Sequence, residues 1–273
     1  MKKLDDFLYC DRVSRETLKS VLGCVDKYKG EEFLSMPISF DIETSSFYDG
    51  GKKFCCLYLW QMDFGGICFY GRTYDEFISK ISEIRSIIPE NQIIVIYVHN
   101  LAYEFQFIRK FFIWESVFAR EKRKPIRART ANKIEFRCSY LLSGYSLDKV
   151  AKNLTAHKIE KLTEIMDYRK IRTPNTLLTE DELMYAYNDV KILEYYIREE
   201  IHRNKGIARI PYTRTSYVRR LIKLKMFPKD EVKIYRHNKR LISSMTIDGE
   251  REYSILKEAY MGGFTHANAW RVG

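Results

Sequence analysis

The segment from Gln92 to Val98 constrains the fold more than any other part of the sequence. It reads QIIVIYV, a nearly unbroken run of β-branched and other apolar residues. Such a run is typical of a strand covered on both faces, because a half-exposed strand alternates apolar and polar residues. A helical pattern follows directly, from about Ala102 to Phe112. This succession predicts an α/β domain with helices on both sides of a central sheet.

The remaining patterns divide the chain into three parts. Residues 1–35 predict a helical segment, because Leu18, Val21, Leu22 and Val25 recur at helical spacing. Residues 36–205 predict the mixed central sheet flanked by helices, and residues 206–273 predict a basic helical extension. The strand candidates of the middle part are residues 37–43, 54–62, 66–70, 92–98 and 134–140, and its helix candidates are residues 74–88, 102–112, 146–154 and 179–201.

The formal net charge of +11 is concentrated in two stretches. Residues 119–137 contain eight Lys/Arg and two Asp/Glu, and the chain from Ile201 onward contains 16 Lys/Arg and 6 Asp/Glu. A one-sided basic balance favours a polyanionic ligand such as nucleic acid. A solubilising surface explains the same charge equally well.

Several classes of protein are disfavoured by what the sequence lacks. The six cysteines form no C-x-x-C pair, so we expect reduced thiols rather than a zinc or redox site. There is no metalloprotease histidine spacing, no G-x-S-x-G elbow and no phosphate loop ending in G-K-[ST]. No apolar stretch of about 18 residues and no N-terminal signal core are present, so we expect a cytoplasmic protein without a membrane partner.

Four carboxylate residues lie on a predicted strand or on the helices next to the predicted sheet. Asp41 and Glu43 are two apart on a strand, so both side chains project from one face. Glu104 lies in the first turn of the helix that follows Val98, at the sheet edge where α/β proteins place their sites. Asp189 lies four residues after Tyr185 on the helix that starts with the capping box Thr179–Glu182, so the two share a helical face. Each of these features taken alone is also explained by a solvated surface or by helix stabilisation.

Taken together, the acids form the ordered series D-x-E, N-x-x-x-E and Y-x-x-x-D. Two carboxylates on one face of a buried strand repel each other, and a divalent cation between them removes the repulsion. Four carboxylates with a tyrosine are suited to phosphodiester hydrolysis with two cations. Oxygen ligands favour Mg²⁺ or Mn²⁺ over zinc.

The series resembles the three exonuclease motifs of DEDD-type 3′→5′ exonucleases, in the variant with a tyrosine in the third motif. His99-Asn100-Leu101-Ala102-Tyr103-Glu104 resembles the second motif in protein-primed family B DNA polymerases of phages and linear plasmids. The other matching segments are Ser139-Tyr140-Leu141-Leu142, Leu147-Asp148-Lys149-Val150-Ala151-Lys152, Asp167-Tyr168 and Tyr260-Met261-Gly262-Gly263. The last resembles the Y-x-G-G motif that joins exonuclease and polymerase domains. The resemblance implies a ribonuclease H-like proofreading domain of the phage or linear-plasmid type, acting in the cytoplasm, which is that of the host if a phage encodes it.

The resemblance also implies roles for single residues. Asp41 would bridge two metal ions, Glu43 and Asp189 would complete the first metal site, and Glu104 would serve the second. Tyr185 would orient the attacking water, and Lys161 would correspond to the catalytic lysine of the family. The residues implied to bind the DNA strand are Thr44, Asn100, Tyr103, Ser139, Tyr140, Tyr168, Tyr260, Gly262 and Gly263.

Two departures from the family affect the expected function. The carboxylate of the second metal site is usually an aspartate, whereas this chain has Glu104. The three polymerase motifs, D-x-x-S-L-Y-P, K-x-x-x-N-S-x-Y-G and D-T-D, do not occur. We therefore expect no polymerase activity from this chain alone, and a polymerase half either in cis or as a separate chain. A terminal priming protein is a possible further partner.

Two alternatives remain open from the sequence. In the first, Glu104 impairs catalysis, and the chain binds single-stranded DNA or docks a partner without cutting. In the second, a relative of the same fold trims RNA. A metal-dependent nuclease assay distinguishes the first from an exonuclease, and competition between DNA and RNA distinguishes the second.

Overall fold

The strand formed by Gln92–Val98 lies in the middle of the central sheet, as its sequence predicts for a strand covered on both faces. In the computed structural model, which describes residues 4–162, 167, 169–228, 231–245, 247 and 249–260, two compact units are present, one ending at Ser216 and the other starting at Tyr217. The strands are β1 Phe7–Tyr9, β2 Cys24–Tyr28, β3 Glu31–Ser35, β4 Ile38–Asp49, β5 Lys52–Phe64, β6 Ile67–Gly71, β7 Gln92–Val98, β8 Trp114–Glu121, β9 Lys124–Thr130 and β10 Ile134–Cys138.

Helices connect and cover these strands. The α-helices are α1 Arg15–Ser20, α2 Tyr74–Ser86, α3 Leu101–Ile108, α4 Ser139–Ser143, α5 Leu147–Asn153, α6 Glu180–Asn204, α7 Arg214–Met226, α8 Val232–Ser244 and α9 Glu250–Tyr260. Short 3-10 helices span Leu4–Asp6, Cys10–Arg12, Arg109–Phe111 and Ile207–Arg209. None of the described helices is long and apolar enough to cross a membrane.

The sheet is mixed, with the strand order β1-β6-β5-β4-β7-β10-β9-β8. Strands β4 and β10 run parallel to β7, and β5 runs antiparallel to β4. Strand β3 pairs with the first residues of β7, and β2 pairs with β3. Strands β7 and β10 therefore end at the same edge of the sheet, and β4 passes this edge because Ser39 and Phe40 pair with the last residues of β7. The carboxyl ends of parallel strands are the usual location of a site in such sheets.

Helices pack on both faces of the sheet. On one face, Phe40 of β4 stacks on Phe77 of α2, with ring centroids 4.7 Å apart, and Trp60 of β5 joins them. On the other face, Tyr58 and Leu59 of β5 lie in a cluster with α6 side chains. Burying each aromatic side chain contributes about 1.5–3 kcal/mol. These layers confirm the predicted mixed α/β class, with helices on both sides of the central sheet.

Helix α6 is capped at its start and held against β4 at its middle. Its capping box is present as predicted, because the Thr179 hydroxyl accepts from the Glu182 amide and the Glu182 carboxylate accepts from the Thr179 amide. In the middle of the helix, the Ser39 hydroxyl donates to the Val190 carbonyl at 2.8 Å across the buried interface. This hydrogen bond holds the segment that carries Asp189 beside the strand that carries Asp41.

The helical segment predicted for residues 1–35 is largely wrong. Within the described residues 4–35, only α1 is an α-helix, and Val25 lies in β2 instead. Strand β3 adds to the first residues of β7, and β2 pairs along the whole of β3. Backbone pairing with a distant strand therefore outweighs the weak local helical period, as tertiary context commonly does.

Residues 206–216 belong to the first unit rather than to a separate extension. Ile207 and Ile210 are buried, and the Ile207 carbonyl accepts from the Arg137 side chain at 3.0 Å. The Ala208 amide donates to Asp26 at 3.0 Å. The contacts of this turn with the sheet explain why the division falls at Ser216 and not at the predicted residue 205.

The basic stretch of residues 119–137 is only partly a surface. Residues 120–124 are exposed, but Arg129 and Arg137 are buried. Both guanidinium groups donate to the carboxylate of Glu135, which has no exposed surface, at 2.7 Å. Arg129 and Arg137 are thus buried and paired, so neither is available as the contact for a polyanion that the sequence suggests.

Candidate active site

Three predicted carboxylates converge at the edge where the parallel strands end. Phe40 pairs with Val98 at the end of β7, so Asp41 and Glu43 extend just beyond this pairing. Asp189 reaches them from α6 on the same face of the sheet. One carboxylate oxygen from each of Asp41, Glu43 and Asp189 lies within 4.8 Å of the other two. Residues almost 150 positions apart therefore form one acidic cluster.

Glu104 is the fourth carboxylate and approaches from α3. Asn100 adopts the left-handed conformation, with φ of 86°, and turns the chain from β7 into this helix. Glu104 is buried in the first helical turn, where the helix dipole favours an anion. Burial and then the charge of Asp41 raise the pKa of Glu104 well above its usual range. The structure thus brings together all four predicted acids.

The charged forms of these acids are destabilised in the absence of a cation. Burial first, and the charge of Asp189 second, raise the pKa of Asp41 to about 7. Burial and the charge of Asp41 raise the pKa of Glu43 well above its usual range, and burial raises the pKa of Asp189. Like charges held together in a water-poor site disfavour ionisation of each other.

Unsatisfied oxygens indicate that the cluster suits a divalent cation. Among the described residues, neither Asp189 Oδ1 nor Glu104 Oε2 has a hydrogen-bond partner, although both atoms are buried. A buried polar atom without a partner costs about 1–3 kcal/mol. Hard oxygen ligands at this density fit Mg²⁺ or Mn²⁺. Asp41, Glu43 and Asp189 could hold one such ion, with Glu104 available to a second.

Lys161 and Tyr185 border the acidic cluster, as the sequence predicts for a site. Lys161 Nζ donates to Asp189 Oδ2 at 2.8 Å and lies 5.2 Å from the centre of the Tyr185 ring. Tyr185 is nearly buried, and a hydrogen bond from its side chain to Asp189 partly offsets the effect of burial on the pKa of that acid. A phenol and an ammonium group are therefore in contact with the same carboxylate.

A more exposed aromatic surface adjoins the acids. Tyr103 and Tyr140 are 43% and 45% exposed, which leaves their rings open to a ligand. The Tyr103 hydroxyl forms a short hydrogen bond with Thr44 Oγ1, and Asn100 is exposed beside them. Exposed aromatic rings are suited to stacking on bases without sequence preference.

Not all predicted DNA-binding residues lie on this surface. Ser139 has no exposed surface, and its hydroxyl is 2.9 Å from His99 Nδ1, so its side chain is not open to a nucleotide in this structure. Tyr168, Gly262 and Gly263 lie outside the described residues. Tyr260 ends α9 in the second unit, and its side chain lies outside the description. Their predicted roles stay predictions.

Three residues near the site escaped the sequence reasoning. Gln61 donates to Asp41 from the neighbouring strand, and Arg172 is buried next to Ser45 of β4. His99 forms an edge contact with Tyr140, and burial, followed by the charge of Lys161, lowers its pKa to about 4. His99 belongs to a recognised motif and could have been included. Gln61 and Arg172 have no local signal, because only the strand register and the loop path bring them to the site.

Comparisons with known proteins support the fold. No protein-family model and no curated protein matches the sequence. The solved structure of phi29 DNA polymerase with primer-template DNA and incoming nucleotide aligns with a TM-score of 0.54 and 16% identity, over 72% of this chain and 35% of that chain. The structure of the same polymerase complexed with single-stranded DNA aligns with a TM-score of 0.55 and 15% identity, over 71% and 36%. This chain thus spans about a third of that polymerase.

A weaker match is the catalytic core of RRP6 from Trypanosoma brucei, with a TM-score of 0.39 and 12% identity over 64% of this chain and 44% of that chain. Identities this low relate folds and not activities. The chain is a mixed α/β domain whose central sheet is flanked by helices, as predicted, and its acids lie at one edge of that sheet. Among known structures, it is similar in fold to part of phi29 DNA polymerase.

Proposed function

We propose that this chain is a 3′→5′ exonuclease that hydrolyses single-stranded DNA with two divalent cations, Mg²⁺ or Mn²⁺. The observation that carries the proposal is the convergence of Asp41, Glu43 and Asp189, with carboxylate oxygens within 4.8 Å of one another, beside the buried Glu104. The acids stand in the order that DEDD-type exonucleases share. The fold similarity to phi29 DNA polymerase, solved with single-stranded DNA, supports the same conclusion.

The reaction is hydrolysis of the phosphodiester at the 3′ end. A water oxygen bonds to phosphorus, the bond from phosphorus to the 3′ oxygen of the preceding nucleotide breaks, and that oxygen takes up a proton. The products are a nucleoside 5′-monophosphate and a strand shorter by one nucleotide. Asp41, Glu43, Asp189 and Glu104 would hold the cations, which supply charge that activates water and stabilises the leaving oxygen.

Lys161 and Tyr185 are proposed to prepare the site for this attack. Tyr185 orients the water through its hydroxyl, and its own position is fixed by packing against the sheet and by Asp189. The Lys161 ammonium group opposes the effect of burial on the pKa of Asp189 through their contact at 2.8 Å. Positioned groups of this kind contribute about 10²–10⁴-fold to rate.

Tyr103 and Tyr140 are proposed to hold the terminal bases by stacking, with Thr44 and Asn100 beside them. Stacking accepts every base, which suits an enzyme that removes whichever nucleotide is at the end. Exposed lysines and arginines at residues 120–124 supply charge for the phosphates. We expect binding to weaken steeply with salt, as counterion release requires.

The biological role proposed is proofreading for a protein-primed family B DNA polymerase of phage type. The polymerase half would be supplied in cis or by a separate chain, and a terminal priming protein is a further candidate partner. The proposal rests on the motif resemblance. It is consistent with the chain spanning 35% of the phi29 polymerase chain.

The deciding experiment is digestion of a 5′-labelled single-stranded oligonucleotide with Mg²⁺, with Mn²⁺ or with EDTA. We expect a ladder of products shortened one nucleotide at a time from the 3′ end. The ladder should form with Mg²⁺ or with Mn²⁺ and not with EDTA. The Asp41→Ala/Glu43→Ala variant should give no ladder, and an RNA oligonucleotide should be cut more slowly. Binding without cleavage in both metals would contradict the proposal and favour a DNA-binding module; faster cleavage of RNA would favour an RNA-trimming enzyme.

A further inference from the structure

Strands β4 and β5 continue past the acidic cluster as an exposed hairpin. Its turn is Gly50–Gly51, and both glycines have positive φ, 55° and 75°, as a tight two-residue turn requires. The strand residues next to the turn, 48–49 and 52–55, are all exposed. The hairpin therefore projects from the packed part of the sheet.

One face of this hairpin is continuous with the aromatic surface of the site. Thr44 contacts Tyr103 of α3, and side chains two apart on β4 share a face, so Ser46 and Tyr48 lie on the side of Tyr103. The strand register adds two residues of β5, because Ser46 pairs with Cys55 and Tyr48 pairs with Lys53. We call the set Thr44, Ser46, Tyr48, Lys53 and Cys55 the hairpin strip.

The proximity of the strip to α3 is also apparent from electrostatics. Burial is the largest influence on the pKa of Tyr103 and raises it; the hydrogen bond with Thr44 opposes this, and the neighbouring Cys55 thiol raises it further. Cys55 therefore lies beside Tyr103, with Tyr48 and Lys53 one pair further out. The strip leads from the proposed 3′-end site to the tip of the hairpin.

The composition of the strip fits single-stranded nucleic acid. Tyr48 is 73% exposed, the most exposed tyrosine among those described, so its ring is available for stacking rather than packed in a core. Lys53 stands opposite it in the register and provides a cation for a phosphate. An aromatic ring beside a cation is the combination by which proteins hold single strands without reading their sequence.

The length of the strip sets how much DNA it can contact. Tyr48 is four positions after Thr44. A strand rises about 3.3 Å per residue, so the two residues are about 13 Å apart. Stacked nucleotides repeat at about 3.4 Å along one strand. A strand whose 3′ end lies at Thr44 and Tyr103 would therefore reach Tyr48 with its fourth or fifth nucleotide.

We propose that the hairpin strip binds the nucleotides upstream of the 3′ end of single-stranded DNA, with a base stacked on Tyr48 and a phosphate paired with Lys53. This proposal rests on the proposed function, because it takes the 3′ end to lie at Thr44 and Tyr103. The strip makes the enzyme prefer strands longer than about four nucleotides and keeps a shortened strand bound between successive cuts.

The chain offers a matched control for mutagenesis. The β2–β3 hairpin also has a two-residue turn, Lys29–Gly30, with positive φ of 51° and 83°, and it carries Tyr28, which is 38% exposed. Strand β3 pairs with Gln92 and Ile93, at the opposite end of β7 from the acids. Tyr28→Ala/Lys29→Ala therefore removes the same two side-chain types at a comparable turn away from the site.

The first test measures kcat/KM for oligothymidylates of two and ten nucleotides. We expect Tyr48→Ala/Lys53→Ala to lower kcat/KM for the ten-nucleotide strand about tenfold and to leave kcat/KM for the dinucleotide unchanged. We expect Tyr28→Ala/Lys29→Ala to change kcat/KM for neither substrate. DNA binding by the strip would be refuted by an equal loss of kcat/KM on both lengths, by no loss on the longer strand, or by the same loss in the control variant.

The second test does not depend on catalysis. Cys55 and Cys24 are both exposed, and only Cys55 belongs to the strip. With EDTA present, we expect the ten-nucleotide strand to slow alkylation of Cys55 by N-ethylmaleimide at least threefold, measured by peptide mass spectrometry, and to leave Cys24 unaffected. Equal alkylation rates of Cys55 with and without DNA, or equal protection of Cys24, would refute DNA binding by the hairpin strip. Protection of Cys55 in a protein that cuts no DNA would instead refute the proposed exonuclease activity and support DNA binding by the strip.

Discussion

Gln61 donates its side-chain amide to Asp41 across paired strands, with 2.8 Å between Nε2 and Oδ2. Asp41 and Gln61 are directly opposite each other in the register of β4 and β5. Gln61 has no exposed surface, so solvent cannot replace this donor. The hydrogen bond fixes the carboxylate of Asp41, which belongs to the acidic cluster with Glu43 and Asp189.

We predict that Gln61→Leu weakens metal-dependent cleavage by about 10–100-fold at limiting Mg²⁺, as loss of an outer partner of a metal ligand commonly does. High Mg²⁺ should recover most of the rate, because the carboxylates themselves remain. The measurement is initial rate against Mg²⁺ concentration. Gln106→Leu, which removes an amide from α3, is the control and should behave as wild type; a Gln61→Leu protein with an unchanged metal dependence would contradict the prediction.

Tyr185→Phe tests the proposed orientation of water. The ring continues to pack against the sheet, so we expect the fold and the binding of a ten-nucleotide strand to be retained. Loss of the hydroxyl should lower kcat by about 10²-fold, within the usual range for a positioned proton-transfer or hydrogen-bonding group. Single-turnover rates at saturating Mg²⁺ give the value directly. Tyr187→Phe on the same helix provides the control, and a Tyr185→Phe rate within twofold of wild type would remove Tyr185 from the mechanism.

Glu104 can be tested by two substitutions of opposite kind. Glu104→Asp keeps the charge and introduces the residue usual at this position in DEDD-type exonucleases, and we expect a rate within about tenfold of wild type. Glu104→Gln removes the charge at nearly constant shape and should lower the rate about 10²-fold, because one proposed metal ligand is lost. Rates in Mg²⁺ and in Mn²⁺ are compared for both variants. Full activity of Glu104→Gln would show that the second cation does not use this side chain.

The raised pKa values of the acids predict an unusual dependence of stability on pH. Asp41 has its pKa raised to about 7 by burial and by Asp189, so between about pH 4 and 7 the folded protein binds more protons than the unfolded chain. Stability contributed by this group is present at low pH and is lost as the pH rises through 7. Without metal we expect Tm to be lower at pH 8 than at pH 5.

The same measurement distinguishes this site from the rest of the protein. Mg²⁺ should raise Tm at pH 8 more than at pH 5, because a cation binds the ionised acids. Asp41→Asn/Glu43→Gln should flatten both the pH dependence and the Mg²⁺ effect. Calorimetric or fluorescence melting curves suffice. A Tm that rises from pH 5 to pH 8 without metal in wild type and variant alike would argue against acids held protonated by burial.

Arg172 is predicted to be a structural requirement of the site. It is buried, donates to Glu182 at 2.8 Å through Nε, and its backbone amide donates to Ser45 of β4 at 2.9 Å. Arg172→Met leaves Glu182 buried without its cationic partner, although the Thr179 amide still donates to it. We expect this loss to cost about 3–5 kcal/mol of unfolding free energy. Arg172→Met/Glu182→Met should recover a large part of this loss in urea unfolding. Additive losses in the double variant would contradict a paired role.

The sequence by itself determined the elements that depend on neighbouring residues. The β-branched run at Gln92–Val98 is a strand with the predicted bounds, and the Thr179–Glu182 capping box starts α6 as predicted. The spacing of Asp41 and Glu43 places both on one face of β4, because side chains on a strand alternate. Local propensity and periodicity are sufficient for such features, since the interactions that decide them lie within a few residues.

The tertiary structure alone decided the features that join distant parts of the chain. The register of β4 and β5 brings Gln61 to Asp41, the path before α6 brings Arg172 to Ser45, and the pairing of β3 with β7 converts the predicted N-terminal helical segment into strands. Each depends on backbone pairing or packing between segments far apart in sequence. The energy of such contacts exceeds local preference, and no local pattern of residues encodes them.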